Sequence, residues 1–151
     1  MMEQKIRTQA EAAKAASYQL ANLRTDVRNA ALCAMADALL KHTVAILREN
    51  AADVADAKAA GTRASYLDRL RLDEGRIAAM AEGLRLTAAL PDPLGREDYS
   101  VRRPNGLEIR RVRVPLGVIG MIYEARPNVT ADAIGLCLTS GNAVVLRGGS
   151  D

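Results

Sequence analysis

Two stretches near the end of the sequence hold the residue types that could do chemistry. In Arg147-Gly148-Gly149-Ser150 a guanidinium and a hydroxyl flank two residues without side chains. Such a turn lets backbone N–H groups approach an anion closely, and arginine can grip a phosphate in bidentate fashion. An exposed glycine turn beside a surface arginine is the plainer reading of the same residues. No Gly-x-Gly-x-x-Gly and no phosphate-loop pattern occurs in the chain. The second stretch, Tyr123-Glu124-Ala125-Arg126-Pro127-Asn128, follows an apolar run. It therefore falls at the carboxyl end of a strand, where open α/β sheets bind their ligands. Two roles are open to Asn128: its side-chain oxygen can cap the next helix, or its amide can donate to a developing oxyanion.

Other reactive side chains offer less. Cys33 and Cys137 have neither metal-ligand spacing nor the pattern of a disulfide framework, so reduced thiols and no metal site are expected. Cys137, between Leu136 and Leu138, reads as an inert core thiol, and Cys33 as a structural residue beside the apolar face of a helix. His42, the only histidine, stands at a helix end, where it suits the dipole better than a metal. Arginines 102, 103, 110, 111 and 113 against Glu108 make a basic hairpin, which either attracts an anionic partner or solvates an edge strand. The edge is the favoured reading. A net charge of +3 and the absence of Phe and Trp argue against a nucleic-acid partner.

The elements that must position these residues divide near Pro91. Of 28 alanines 24 precede it, whereas all 5 prolines and 8 of 11 glycines lie at or beyond it. The first part reads as four or five helices, one of them marked by Leu32, Met35, Ala36, Leu39 and Leu40 at helical spacing. Thr25, Asn50 and Asp73 are candidate N-caps, and Gly61 a candidate C-terminal stop. Beyond the turn at residues 91–95, Val101 to Val114 reads as a hairpin turning at Pro104-Asn105-Gly106. Leu107 and Ile109 share one parity and Val112 and Val114 the other, which predicts a bulge near Arg110-Arg111. Leu116 to Ile122 is apolar on both parities, as in a parallel strand covered on both faces. A helix capped by Asn128 or Thr130 and ended by Gly141 leads to a second buried strand over residues 142–146. This is a β-α-β unit, the start of a parallel nucleotide-binding sheet.

At 151 residues, 49% apolar and 26% charged, the chain has the composition of one globular domain or slightly more. Its longest apolar run, Val114 to Tyr123, is far short of the roughly 20 residues of a spanning helix. No secretory signal opens the chain, so neither a membrane nor export is expected, and the cytoplasm is the expected location. Residues 147–151 look like a loop leaving a strand, with Ser150 placed to cap a further helix. Two buried parallel strands also need more sheet and more cover than one helix provides, so an incomplete domain is expected.

The run Val112-Arg113-Val114-Pro115-Leu116-Gly117-Val118-Ile119-Gly120-Met121-Ile122-Tyr123-Glu124-Ala125-Arg126-Pro127-Asn128-Val129-Thr130 closely resembles the glutamate-5-semialdehyde dehydrogenases, also called gamma-glutamyl phosphate reductases. Gly141-Asn142-Ala143-Val144-Val145-Leu146-Arg147-Gly148-Gly149-Ser150 is similar to the same family, as are residues 50–57 and 66–70. The resemblance implies an aldehyde-dehydrogenase-like α/β fold, of which this chain holds an N-terminal, incomplete portion. Residues 1–90 would be a helical lead-in, 91–114 a linker and hairpin, and 115–151 the opening β-α-β of an NADP-binding domain, with the catalytic domain absent.

It also implies NADPH-dependent reduction of L-glutamyl 5-phosphate to glutamate 5-semialdehyde and phosphate, in proline biosynthesis. A cysteine thiolate attacks the acyl phosphate, phosphate leaves and hydride reduces the thioester. By the same resemblance Asn128 donates to the oxyanion, and Glu124, Ala125, Arg147, Gly148, Gly149 and Ser150 line the cofactor site. Arg147 stands where the wider superfamily commonly has lysine, and suits a 2′-phosphate. Neither Cys33 nor Cys137 matches the nucleophile, so the 151 residues alone are expected to be inactive. The expected partners are the substrate, a second copy of the chain and glutamate 5-kinase; a kinase fused ahead of these helices is not expected, because they begin near Met2. A non-catalytic anion-binding or interaction module is the competing reading.

Overall fold

The structure, a computed structural model, describes residues 2–124 and 126–148. Five helices lead: α1 (Met2–Leu20), α2 (Thr25–Lys41), α3 (Thr43–Ala59), α4 (Ala64–Leu70) and α5 (Glu74–Ala88). The hairpin β1 (Glu97–Arg102) and β2 (Glu108–Val112) follows, then β3 (Val118–Ile122), α6 (Pro127–Thr139) and β4 (Ala143–Arg147). No single helix among the described residues is long and apolar enough to cross a membrane.

Alanine has the highest helix propensity, and it also lets helix axes approach. Both consequences meet where α2 and α5 pack: Leu32, Ala36, Ala81, Leu84 and Ala88 form a buried cluster, with Met35, Leu39 and Leu138 against it. The apolar spacing read from the sequence thus marks the inner face of α2, although Leu40 is exposed. α6 rests on this pair through Gly135, where an added Cβ would stand 2.9 Å from Leu84 Cδ2. Cys33 departs from its expected place. It is exposed, because it lies about 100° round the helix from Leu32 and off the buried stripe.

Two glycines end helices as expected. Gly61 (φ +78°) follows α3, with its N–H on Lys58 O and that of Thr62 on Ala57 O. Gly141 (φ +70°) follows α6 in the same way, with Asn142 N–H on Cys137 O. Both are the paired reverse bonds that satisfy the last helical carbonyls. Only one of the three expected N-caps in this half is found. Asp73 does cap α5, accepting from Arg76 N–H at 2.7 Å. Thr25, however, is the first residue inside α2, and its hydroxyl donates to Asp92. Asn50 is buried within α3, where its amide donates to Leu70 O (2.9 Å) and its oxygen accepts from Leu72 N–H (2.7 Å). Both side chains make tertiary bonds that a local reading does not show.

Asp92 anchors the crossing from helices to strands. It accepts from Thr25, from the buried Arg28 guanidinium and from Leu94 N–H, while Arg28 also donates to Leu23 O. Partial burial alone would push the Asp92 carboxyl up, but the Thr25 hydroxyl, the Leu94 amide and Arg28 outweigh it and hold the carboxyl below its ordinary value.

The hairpin turns where expected, with Gly106 at φ +85°, but its strands run from Glu97 to Val112 rather than from Val101 to Val114. Its irregularity lies in β1, not at Arg110-Arg111. The register jumps from Glu97↔Val112 to Tyr99↔Arg111, leaving Asp98 extra, and its carboxylate takes a two-toothed bond from Arg113. All of β2 is exposed, so no buried face fixes the parity on which the expected bulge position rests.

β3 and β4 pair in parallel, in register from Val118↔Ala143 to Ile122↔Arg147. Asn142 ties their beginnings together: Gly117 N–H donates to its oxygen at 2.8 Å, and its amide donates to Ser140 O and Oγ. The expected cover on both faces is not found among the described residues, where Ile122 is 86% and Leu116 85% exposed. α1 and α6 both lie against β4, which leaves much of β3 open.

Candidate functional site

Because the strands are parallel, their carboxyl ends open at one edge. Tyr123 N–H donates to Arg147 O (3.0 Å), which carries the ladder one step past Ile122. Tyr123 and Glu124 on one side, and Arg147 and Gly148 on the other, therefore emerge together. Ala125, Gly149 and Ser150 lie outside the described residues. Glu124 and Arg147 are exposed, and Arg147 meets no carboxylate among the described residues. Among the described residues, an added Cβ at Gly148 would touch nothing within 4 Å.

The turn into α6 is set by proline. Arg126 takes the extended backbone (φ −140°, ψ 92°) that a residue before proline prefers, and Pro127 opens the helix, where its missing N–H costs nothing. Tyr123 Oη and Thr130 Oγ1, 2.6 Å apart, tie the strand end to the first turn. Arg126 occupies the cap position without a side-chain bond, so neither Asn128 nor Thr130 caps the helix. Asn128 already lies inside it, where its oxygen cannot reach back to the first amides. Its amide instead donates to Asp132 Oδ2 at 3.2 Å, one turn on. An amide carries two N–H donors, so the second is uncommitted among the described residues.

Sequence reasoning does not single out Asp132, although its spacing of four from Asn128 could have suggested it. Together with Arg76, Leu72, Ala79 and Met80 these two residues line a cavity of about 400 Å³ between α5 and α6. Arg76 is fixed by donating to Asp68 O, Arg71 O and the Asp68 carboxylate.

The thiols stand apart. Cys137 is buried in α6, where desolvation pushes its thiol up and away from the reactive thiolate. Cys33 is on α2, and His42 lies at the 68° bend between α2 and α3. Among the described residues no three His, Cys, Asp or Glu side chains gather to hold a metal.

No family model matches the chain. Curated relatives do. A gamma-glutamyl phosphate reductase of a Thermoanaerobacter species is 56% identical over 146 residues, 97% of this chain and 35% of that protein. The crystal structure of the gamma-glutamyl phosphate reductase of Thermotoga maritima superposes with a TM-score of 0.90 at 42% identity, over 93% of this chain and 34% of the other. The chain belongs to the gamma-glutamyl phosphate reductase family. It spans about a third of the length of the relatives it matches. An NAD-dependent benzaldehyde dehydrogenase from Corynebacterium glutamicum, 28% identical, shares its fold with a TM-score of 0.69 over 93% of this chain and 28% of that one. The α/β architecture is thus that of the aldehyde dehydrogenases, of which the chain holds the helices, the hairpin and one β-α-β unit.

Proposed function

We propose that the chain is the leading part of a cytoplasmic reductase that converts L-glutamyl 5-phosphate to glutamate 5-semialdehyde and phosphate with NADPH, in proline biosynthesis. The observation that supports this reading is the parallel pairing that brings Ile122 beside Arg147 at the carboxyl ends of β3 and β4, with Glu124 following β3 and Asn128 in the first turn of the helix that comes next. Residues 1–90 act as the helical lead-in, 91–114 as linker and hairpin, and 115–151 as the opening of the cofactor domain. A second copy of the chain and the kinase that makes the acyl phosphate are the partners this reading expects.

The residues present fit a phosphorylated dinucleotide. An exposed guanidinium that meets no carboxylate among the described residues, and Gly148 at the strand end, where an added Cβ would touch none of these, suit an anion. Arg147 and Gly148 would hold it, with Gly149, Ser150, Glu124 and Ala125 beside them. When bound, the nicotinamide supplies the hydride. Asn128 donates its free N–H to the oxygen of the carbonyl under attack, where charge collects in the transition state. By the resemblance, the attacking thiolate is a cysteine of the family's catalytic domain, which neither Cys33 nor the buried Cys137 with its raised thiol pKa matches.

The test is a reverse assay with glutamate 5-semialdehyde, phosphate and NADP. A full-length protein carrying this chain reduces NADP only when phosphate is present, and the 151 residues alone do not. Turnover by the short chain, or none by the long one, overturns the proposal.

A further inference from the structure

On the reading just given, the reacting carbonyl lies at the amide of Asn128, but the substrate also carries an α-ammonium and an α-carboxylate. The cavity beside Asn128 has the charge pattern to receive such a group. Three of its lining residues are apolar, Leu72, Ala79 and Met80, and the polar ones are Asn128, Asp132 and Arg76. One anion and one cation face a largely apolar space. That space would take a short methylene chain ending in opposite charges.

We infer that Asp132 receives the α-ammonium of the substrate and so makes the site specific for an amino-acid acyl phosphate. Several observations support this. Asp132 is exposed and pairs with no arginine or lysine among the described residues, although Arg76 lines the same cavity. A carboxylate has about four lone-pair sites, and the bond from Asn128 uses one. Its carboxylate faces α5 at Gly83, where an added Cβ would stand 3.9 Å from Asp132 Oδ1. The two groups are also close enough for one small substrate to touch both, since Asn128 Nδ2 and Asp132 Oδ2 lie 3.2 Å apart.

Arg76 supplies the opposite charge. Three of its five N–H groups are committed to Asp68 and Arg71 and Nε lies 3.9 Å from an Asp73 oxygen, which leaves one Nη2 N–H on a guanidinium already held in place.

The experiment compares Asp132→Asn with the unaltered full-length protein, using two aldehydes: glutamate 5-semialdehyde and 5-oxopentanoate, which lacks the amine. Asparagine keeps an acceptor oxygen for Asn128 and loses only the charge. The expected result is a fall of about tenfold to a hundredfold in kcat/KM for glutamate 5-semialdehyde, carried mainly by KM, as for loss of one charge-assisted hydrogen bond. The value for 5-oxopentanoate should hold or rise; if that aldehyde turns over too slowly, its inhibition constant is compared instead. Equal loss for both aldehydes would make Asp132 a positioning residue for Asn128 and overturn the inference, as would no loss for either. If the unaltered full-length protein used neither aldehyde, the proposed function itself would fall and the inference with it.

Discussion

In the helical half, polar side chains are committed to structure, whereas at the carboxyl edge of the strand pair they are left exposed. Arg28 is buried and gives its hydrogen bonds to Leu23 and Asp92, and Asn50 is buried between Leu70 and Leu72. Glu124, Asn128 and Arg147 are exposed, and of these Asn128 shares one N–H with Asp132. A buried polar group must be bonded or it destabilises the fold, so the first set is explained by folding alone. Folding does not require the second set. Substitutions in the two regions should therefore separate, with loss of stability in one and loss of rate or selectivity in the other.

The largest expected effect is on rate. Asn128→Ala in a full-length protein should lower kcat by about 10² to 10³, the usual loss of an oxyanion donor. Its melting temperature should hardly move, because the residue is exposed and caps nothing. A lowered melting temperature with an intact rate per folded molecule would erase the distinction at this residue.

The mirror experiment is Leu32→Ala. Leu32 is fully buried against Ala36, Ala81 and Leu84, and its truncation should cost about 2 to 4 kcal/mol in denaturant unfolding of the full-length protein. Turnover per folded molecule should stay normal. Ile122→Ser at the other end of the comparison changes a side chain that is 86% exposed among the described residues. In the 151-residue chain it should leave stability within about 0.5 kcal/mol and reduce aggregation, because Leu116, Ile122 and Val114 present open apolar surface. Ile122→Ser as damaging as Leu32→Ala in the short chain would show that the strand pair has found cover.

Arg147→Ala should act on selectivity. If the proposed function holds, losing the guanidinium in a full-length protein should narrow a preference for NADPH over NADH by about tenfold in the ratio of kcat/KM values, the low end for a charged hydrogen bond. An unchanged ratio would remove Arg147 from the cofactor site.

What can be read from the sequence follows the range of the forces involved. The apolar period of α2, the glycines after α3 and α6, the turn at Gly106 and the β-α-β order are local patterns, and the structure has them all. Thr25, Asn50, Asn128 and Thr130 read as caps because short oxygen-bearing side chains favour helix ends. Each makes another bond: with Asp92, with Leu70 and Leu72, with Asp132 and with Tyr123. The partners of Thr25 and Asn50 are 67 and 20 or more residues away in sequence, beyond any local rule. The cavity at Asp132 is hidden for the same reason, since it forms only when α5 and α6 lie side by side. The bulge escapes a parity argument because β2 has no buried face to set parity.

The smallest effect is a dependence on pH, and it sharpens the helical side of the comparison. Asp92 has its carboxyl held below the ordinary value by the Thr25 hydroxyl, the Leu94 amide and Arg28, despite the opposing effect of partial burial. An unfolded chain lacks these partners, so its aspartate titrates near the usual value of about 3.9. The folded state thus binds fewer protons than the unfolded one between the two values. Stability from this group is fully present above the unfolded pKa and is lost as pH falls through the folded one. Asp92→Asn should remove that contribution at neutral pH and flatten the stability curve below pH of about 4. Asp98, paired with Arg113 on the exposed hairpin, has its carboxyl lowered too, first by the hydrogen bonds from Arg113. The carboxylates are similarly exposed, but Arg113 is half exposed where Arg28 is buried, so solvent screens that pair more and Asp98→Asn should flatten the curve less. Equal flattening by the two substitutions would mean that the buried Arg28 gives Asp92 no advantage over a surface pair, and the clamp between helices and strands would lose its electrostatic basis.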